Sequence, residues 1–310
     1  MELDLVTVLR FIWTAGMLPI VVASLPLSCL HGFHGLVLEI AKRGKTTPSF
    51  PPSFTVPHSY FSHFYILGVC WTTCLLFSTW FYVRTKTEMD ADVDSTGQLW
   101  KTVFVLILME AQVIRRLYES FFVFKYDSSA RMHVLGYLTG LVFYVAEPVS
   151  LCCSFALEAL TYTGTQISEY AVKGWQGIPE AEFDLWDYMM PLTNVGWLQW
   201  IGAVIFFWGW IHQFHCHKIL GSLRKQRRAD EYLIPHGDWF EVASCGHYLA
   251  EIVMYLGIVL ASGVTDLTLW LLLAFVVANL VFAAAETHQW YLQKFDNYPR
   301  TRRVIIPLLY

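Results

Sequence analysis

Charge is scarce in this 310-residue chain: 21 basic and 25 acidic side chains make up 15% of it, where soluble domains carry roughly 25%. Hydrophobic residues fill 55%, and the mean hydropathy is +0.44. So few charges cannot cover the water-facing surface of a 35.7 kDa protein, which excludes an ordinary soluble enzyme. The net charge of −4 provides no global basic field and excludes nucleic acid as the main partner. No Asn-x-Ser/Thr acceptor occurs, so nothing marks a glycosylated face. Cysteines 29, 70, 74, 152, 153, 216 and 245 are odd in number, lack paired metal-ligand spacing and mostly sit in apolar runs, the pattern of buried free thiols. Internal repeats, low-complexity tracts and a linker long enough to set off a soluble domain are all missing. No Gly-x-Gly-x-x-Gly follows a predicted strand, which excludes a Rossmann-held dinucleotide. The start carries Glu2 and Asp4 in place of lysines, and its apolar run outlasts a signal h-region, so a membrane span is expected there instead of a cleavable signal.

What is abundant is apolar length and aromatic rings. Thirteen Trp and 16 Tyr fit two membrane interfaces, where amphipathic rings sit at headgroup level. Stretches near 11–30, 64–83, 102–123, 133–160, 195–214, 246–262 and 266–285 are each long enough for a hydrocarbon core of about 20 residues. No ten-residue alternation suggests barrel strands, so an all-α integral membrane fold of about seven transmembrane helices is expected. The loops alternate in sign. Lys42, Arg43 and Lys45 follow the first span, and Glu88, Asp90, Asp92 and Asp94 the second. Arg115, Arg116, Lys125 and Arg131 border the third loop, and Glu169, Glu180, Glu182, Asp184 and Asp187 fill the fourth. Lys218, Arg224, Lys225, Arg227 and Arg228 follow the fifth span, and Lys294, Arg300, Arg302 and Arg303 the last. The positive-inside rule then puts the N-terminus on the luminal side and the C-terminus in the cytosol. Segment 44–59, with Pro48, Pro51, Pro52 and Pro57, reads as an ordered cytosolic loop.

Ionisable groups inside such helices are costly and therefore informative, at about 3 kcal/mol each on insertion scales. Gln112, Arg116 and Glu119 follow i, i+4, i+7 and share a helix face. Arg115 is expected to snorkel to the lipid boundary while Arg116 turns into the bundle. His212, Gln213, His215, Cys216 and His217 admit three readings: a metal site, a ligand-free polar helix end, or a cofactor pocket. The scattered remaining histidines disfavour metal. The basic run from Arg224 to Arg228, followed by Ile234-Pro-His-Gly-Asp-Trp-Phe-Glu241, serves either as a topology signal or as a phosphate clamp. His247 and Glu251 open the sixth span. His288 and Tyr291, i and i+3 on the last, form either an interfacial belt or a proton-delivering pair.

These motifs resemble the steroid 5-alpha-reductase family. The resemblance rests on Ile234–Glu241, Tyr248-Leu-Ala-Glu251, His288-Gln-Trp-Tyr291, Phe295-Asp-Asn-Tyr-Pro-Arg300 and the close at Ile306-Pro-Leu-Leu-Tyr310. Tyr60-Phe-Ser-His-Phe-Tyr65, Arg115-Arg-Leu-Tyr-Glu119, His212-Gln-Phe-His-Cys-His217 and Ile219-Leu-Gly-Ser-Leu-Arg224 resemble its polyprenol-reducing branch. The match runs from about residue 58 onward. It implies one membrane-embedded reductase domain over 1–310, with most cofactor motifs in 195–310, in the endoplasmic reticulum membrane. It further implies NADPH as cofactor, a non-Rossmann site in the helix bundle, a long polyisoprenoid substrate and a role in dolichol synthesis for protein N-glycosylation. No metal and no obligatory protein partner are implied. Cofactor positions fall on Arg116, Gln213, His217, Arg224, Arg227, Asp238, His247, Glu251, His288 and Tyr291. His247 replaces an asparagine of the family. The steroid enzymes' carbonyl-binding glutamate has no carboxylate counterpart in 60–65, where His63 takes its place.

Hydride adds readily to an alkene only when a conjugated carbonyl can hold the resulting charge, so the enal is the expected acceptor and not the allylic alcohol. In that scheme His63 or Tyr60 polarises the aldehyde oxygen, and His288 or Tyr291 orients the nicotinamide or relays a proton. Rival readings are a steroid 4-en-3-one or enoyl-thioester reductase of the same family, a seven-helix receptor or transporter, and a metal-dependent membrane oxygenase.

Overall fold

The computed structural model describes residues 4–41, 54–89, 93–126, 130–173, 190–226 and 232–306. The basic cluster 42–45, Pro48, Pro51 and Pro52, the acidic groups at 90, 92 and 180–187, and Arg227 and Arg228 lie outside the described residues. The regular elements among the described residues are two three-residue strands, a few short helical turns and nine α-helices: α1 Leu5–Ala23, α2 His31–Ala41, α3 Phe61–Met89, α4 Val93–Tyr118, α5 Val134–Leu151, α6 Ala156–Lys173, α7 Trp197–Gln226, α8 Gly246–Ser262 and α9 Leu267–Lys294. Five of these, α1, α3, α4, α5 and α9, are long and apolar enough to cross a membrane. At 17 residues α8 is apolar but shorter, and the 30-residue α7 dilutes its apolar content with the Gln213 to His217 cluster. The fold is thus an all-α membrane protein.

Helix ends follow local chemistry. Asp4 caps α1 by accepting from Thr7 N at 2.9 Å, and Asp266 caps α9 by accepting from Thr268 N at 2.8 Å. At the far end of α8, Gly263 adopts φ +101°, the left-handed C-cap that glycine tolerates.

Two expected spans are redrawn. The first helix occupies 5–23 and not 11–30, because Pro26 biases Leu25 away from helix and the chain turns after Ala23. The long run at 133–160 is two helices, α5 and α6, broken at 152–155. Tyr82 of α3 donates to Glu158 of α6 at 2.6 Å, so α6 leans on the end of α3. The thiols also divide: Cys152, Cys153, Cys216 and Cys245 are buried, but Cys29, Cys70 and Cys74 are exposed.

The tightest pairing is α7 against α8. A Cβ on Gly202 would lie 2.6 Å from Gly257 O, one on Gly257 would lie 2.6 Å from Phe206 N, and one on Gly209 would lie 2.7 Å from Ala250 O. Small residues thus let the two backbones touch, the packing that replaces the hydrophobic drive in lipid. Across the bundle α1 meets α9 and α5 through Trp13, whose indole donates to Ser150 Oγ at 3.0 Å.

Two short clasps close one end of the bundle. Strand β1 (Thr55–Pro57) pairs antiparallel with β2 (Arg131–His133), in the register Val56 to Met132. Arg131 Nη2 also donates to Thr55 O at 2.7 Å. The second clasp joins Ser244 N to Arg303 O at 2.8 Å and Arg303 N to Val242 O at 3.0 Å.

Candidate active site

Glu119 opens a π turn, Glu119–Val123, that continues α4. The wider turn carries Glu119 to full burial beside α7, and there it joins both arginines: Arg115 Nη1 donates to Oε1 at 2.6 Å, and Arg116 Nη1 donates to Oε2. His217 Nδ1 lies 2.7 Å from the same Oε2 and 2.7 Å from Arg116 Nη1. Arg116 Nη2 donates to Tyr65 OH and its guanidinium lies over the Tyr65 ring, 4.8 Å from the centroid. Arg115 is not at the lipid boundary. Its side chain is 4% exposed, because it donates to Gln112 Oε1 at 2.6 Å and to Gln213 Oε1 while lying over Trp210. A neighbouring carboxylate and two amides offer the guanidinium more than headgroup water would.

The network continues into α8. Gln213 Nε2 donates to Glu251 Oε2 at 3.1 Å and to His247 O at 3.3 Å. His247 lies 5.6 Å from the His217 ring. Arg224 lies 5.6 Å over Phe124, the ring that Arg116 also covers at 5.8 Å and His217 meets edge-on. Six expected cofactor residues, Arg116, Gln213, His217, Arg224, His247 and Glu251, therefore form one polar column from α4 through α7 to α8.

The other expected positions assemble beside it. His212 and His215 turn away from His217 and hold Asp238, at 2.9 and 3.3 Å. Asp238 sits at φ +49° after Gly237 at φ +95°. Glu241 accepts from Gly237 N at 2.6 Å, which holds its carboxyl below the usual carboxylate range. His288 and Tyr291 face the last segment of the chain: Tyr291 stacks on Tyr298 at 5.1 Å, and His288 Nδ1 lies 2.6 Å from Ser244 Oγ. Tyr298 donates to Ser244 Oγ at 2.7 Å, and burial pushes its phenol up, so it remains a donor. Ser244 Oγ, which accepts from Tyr298, either donates onward to His288 Nδ1 or accepts from it, according to the imidazole's tautomer.

Tyr60 and His63 are exposed. They form a separate aromatic group with Tyr137, whose hydroxyl lies 3.1 Å from His63 Nδ1, and do not reach Arg116. The α3 side chain that does is Tyr65. Sequence reasoning also passed over Ser244, Tyr298 and the buried Glu147, although a carboxylate in the apolar run Tyr-Val-Ala-Glu-Pro was itself a signal.

Residues 182–310 match the 3-oxo-5-alpha-steroid 4-dehydrogenase family. Over the whole length, the chain is 48% identical to polyprenal reductase 1 of Arabidopsis thaliana, with 100% of each protein covered. It is 46% identical to polyprenal reductase 2 of the same plant, covering 100% of this chain and 99% of that protein. Polyprenal reductase of Homo sapiens is 30% identical over 97% of this chain and 96% of its own length. Through this full-length relationship the chain belongs to the steroid 5-alpha-reductase family, among its polyprenal reductase relatives.

Proposed function

We propose that this protein is a membrane oxidoreductase that saturates the carbon–carbon double bond conjugated to the aldehyde of polyprenal, a step of dolichol synthesis, with NADPH as reductant. The observation that carries the reading is full-length relatedness to polyprenal reductases at 46–48% identity. Seven helices cross the membrane of the endoplasmic reticulum, with the N-terminus luminal and the C-terminus cytosolic; alternation of loop charge supports that orientation.

The side chains fit a nicotinamide dinucleotide phosphate by their chemistry. Arg115 Nε is a buried N–H without an acceptor among the described residues. Gln213 and Glu251, bonded to one another, bring to the column an amide and a carboxylate of the kind a carboxamide pairs with. Arg116 and Arg224 would hold phosphate, while Gln213, His247 and Glu251 would orient the nicotinamide end. The cofactor supplies hydride. Tyr65, whose oxygen accepts from Arg116, keeps its own proton to donate and polarises the aldehyde oxygen. Tyr60 and His63 stand where the polar head of the lipid enters, its isoprenoid tail remaining in the membrane. With Ser244 donating to its Nδ1, His288 would carry its proton on Nε2 and donate it to the bound cofactor.

Purified protein with NADPH is expected to turn over polyprenal to the saturated aldehyde, and polyprenol at least 100-fold more slowly. Equal turnover of polyprenol with no aldehyde formed overturns the enal assignment, and preference for a steroid 4-en-3-one overturns the substrate. Ser244→Ala is expected to weaken NADPH binding roughly 10-fold, since a stranded buried hydrogen-bond partner costs about 1–3 kcal/mol. Titration of intrinsic tryptophan fluorescence measures it, and an unchanged Kd removes His288 from the cofactor site.

A further inference from the structure

Glu147 lies in the middle of a membrane helix and takes no part in the column described above. It is fully buried, on α5, and Tyr255 of α8 donates to its Oε1 at 3.0 Å. Its Oε2 is buried with no hydrogen-bond partner among the described residues. No arginine or lysine among the described residues forms an ion pair with it, in contrast to Glu119, which holds two. An isolated carboxylate in hydrocarbon is expensive, whereas a carboxylic acid with one accepted hydrogen bond is not. The tyrosine also selects the oxygen. By donating to Oε1 it makes that atom the carbonyl, so an acidic proton resides on Oε2, the atom left without a partner.

The position is as telling as the bonding. Tyr255 follows Glu251 by four residues and so shares its face of α8, just over one turn, about 6 Å, further along the helix. Glu251 ends the polar column at Gln213. From the other side, the rings of Tyr65, Tyr144, Phe143 and Tyr255 succeed one another at 5.5, 5.5 and 6.5 Å between centroids. Glu147 therefore adjoins the column from two sides, through Tyr255 one turn beyond Glu251 and, three residues after Tyr144 on α5, through the ring that meets Tyr65.

We infer that Glu147, positioned by Tyr255, is the acid that completes the reduction, an assignment that rests on the enal reading above. A bound reduced nicotinamide would supply hydride, with its electron pair, to the β-carbon; the alkene π pair would move to oxygen as an enolate, which Tyr65 would hold by hydrogen bond. Glu147 Oε2–H then gives its proton to the α-carbon: the O–H bond breaks, the α C–H bond forms, and the aldehyde is restored. The carboxylate left behind recovers one proton from water. The sum is polyprenal, reduced nicotinamide and one proton giving the saturated aldehyde and oxidised nicotinamide.

Glu147→Gln separates this role from a structural one, because the amide still accepts from Tyr255. It is expected to lower kcat at least 100-fold, within the range of a general acid, while the KM for polyprenal and the Kd for NADPH stay within threefold. Independently of turnover, the infrared difference spectrum of wild type minus Glu147→Gln, without cofactor, is expected to contain the carbonyl band of a protonated carboxyl group. Absence of that band, or kcat within threefold of wild type, overturns the proposal. Should Glu147→Gln fail to fold, Tyr255→Phe is measured: it should shift the band upward and lower kcat about 10-fold, and leaving both unchanged overturns the proposal equally. Wild-type protein that does not reduce polyprenal refutes the enal reading instead, a result the band does not depend on.

Discussion

Glu119→Ala is expected to be the most damaging single change in the polar column, costing about 3–5 kcal/mol of stability, because it leaves buried charge without its partner. Its carboxylate is the common counter-ion of Arg115 and Arg116, with His217 on the same oxygen as Arg116. Removing it leaves two adjacent guanidiniums, 4% and 16% exposed, repelling one another inside the bundle. Glu119→Gln keeps the shape and the acceptor but not the charge, and should fall between. Thermal unfolding of the detergent-solubilised protein, followed by tryptophan fluorescence, measures both. A Glu119→Ala protein within about 1 kcal/mol of wild type would mean that water or lipid headgroups already neutralise the arginines, contrary to their burial.

The second large effect is steric. Gly257→Val is expected to destabilise by about 3 kcal/mol or more, at and beyond the usual overpacking range, since its Cβ would lie 2.6 Å from Phe206 N, a backbone atom no rotamer change can move. Gly164→Ala is the matched control: nothing lies within 4 Å of a Cβ there, so in helix α6 the change should stabilise by up to about 1 kcal/mol. Detergent-resistant folded yield and the unfolding midpoint distinguish the two. A tolerated valine at 257 would show that α7 and α8 are free to separate.

The sequence made much of this architecture legible, for a physical reason: in lipid, apolar length alone defines a helix. Failures came where length is ambiguous. The run at 133–160 reads as one largely apolar stretch despite Glu147 and Glu158, and its length does not mark the break at 152–155 that precedes the packing of α6 on Tyr82. Arg115 was misplaced because snorkelling and burial look alike in sequence; the difference lies in Gln112 and Gln213, the latter from a helix about a hundred residues away. The grouping of Arg116, Gln213 and His217 was foreshadowed by motif order, but the turn of Asp238 toward His212 and His215 was not. It depends on a backbone at φ +49° that composition does not announce.

The two clasps have a further consequence, one of parity. Paired backbones cannot reach across roughly 30 Å of hydrocarbon, so Pro57 and Arg131 lie on one side of the bilayer, and Ala243 and Arg303 lie on one side too. The chain between each pair must cross an even number of times. In the first interval α3 and α4 cross together; in the second, α8 and α9 cross together or not at all. At 28 residues, α9 carries the most apolar window among the described helices long enough to cross a membrane. A crossing by α9 would therefore commit α8, whose 17 residues leave the matter open by length alone, to cross beside it.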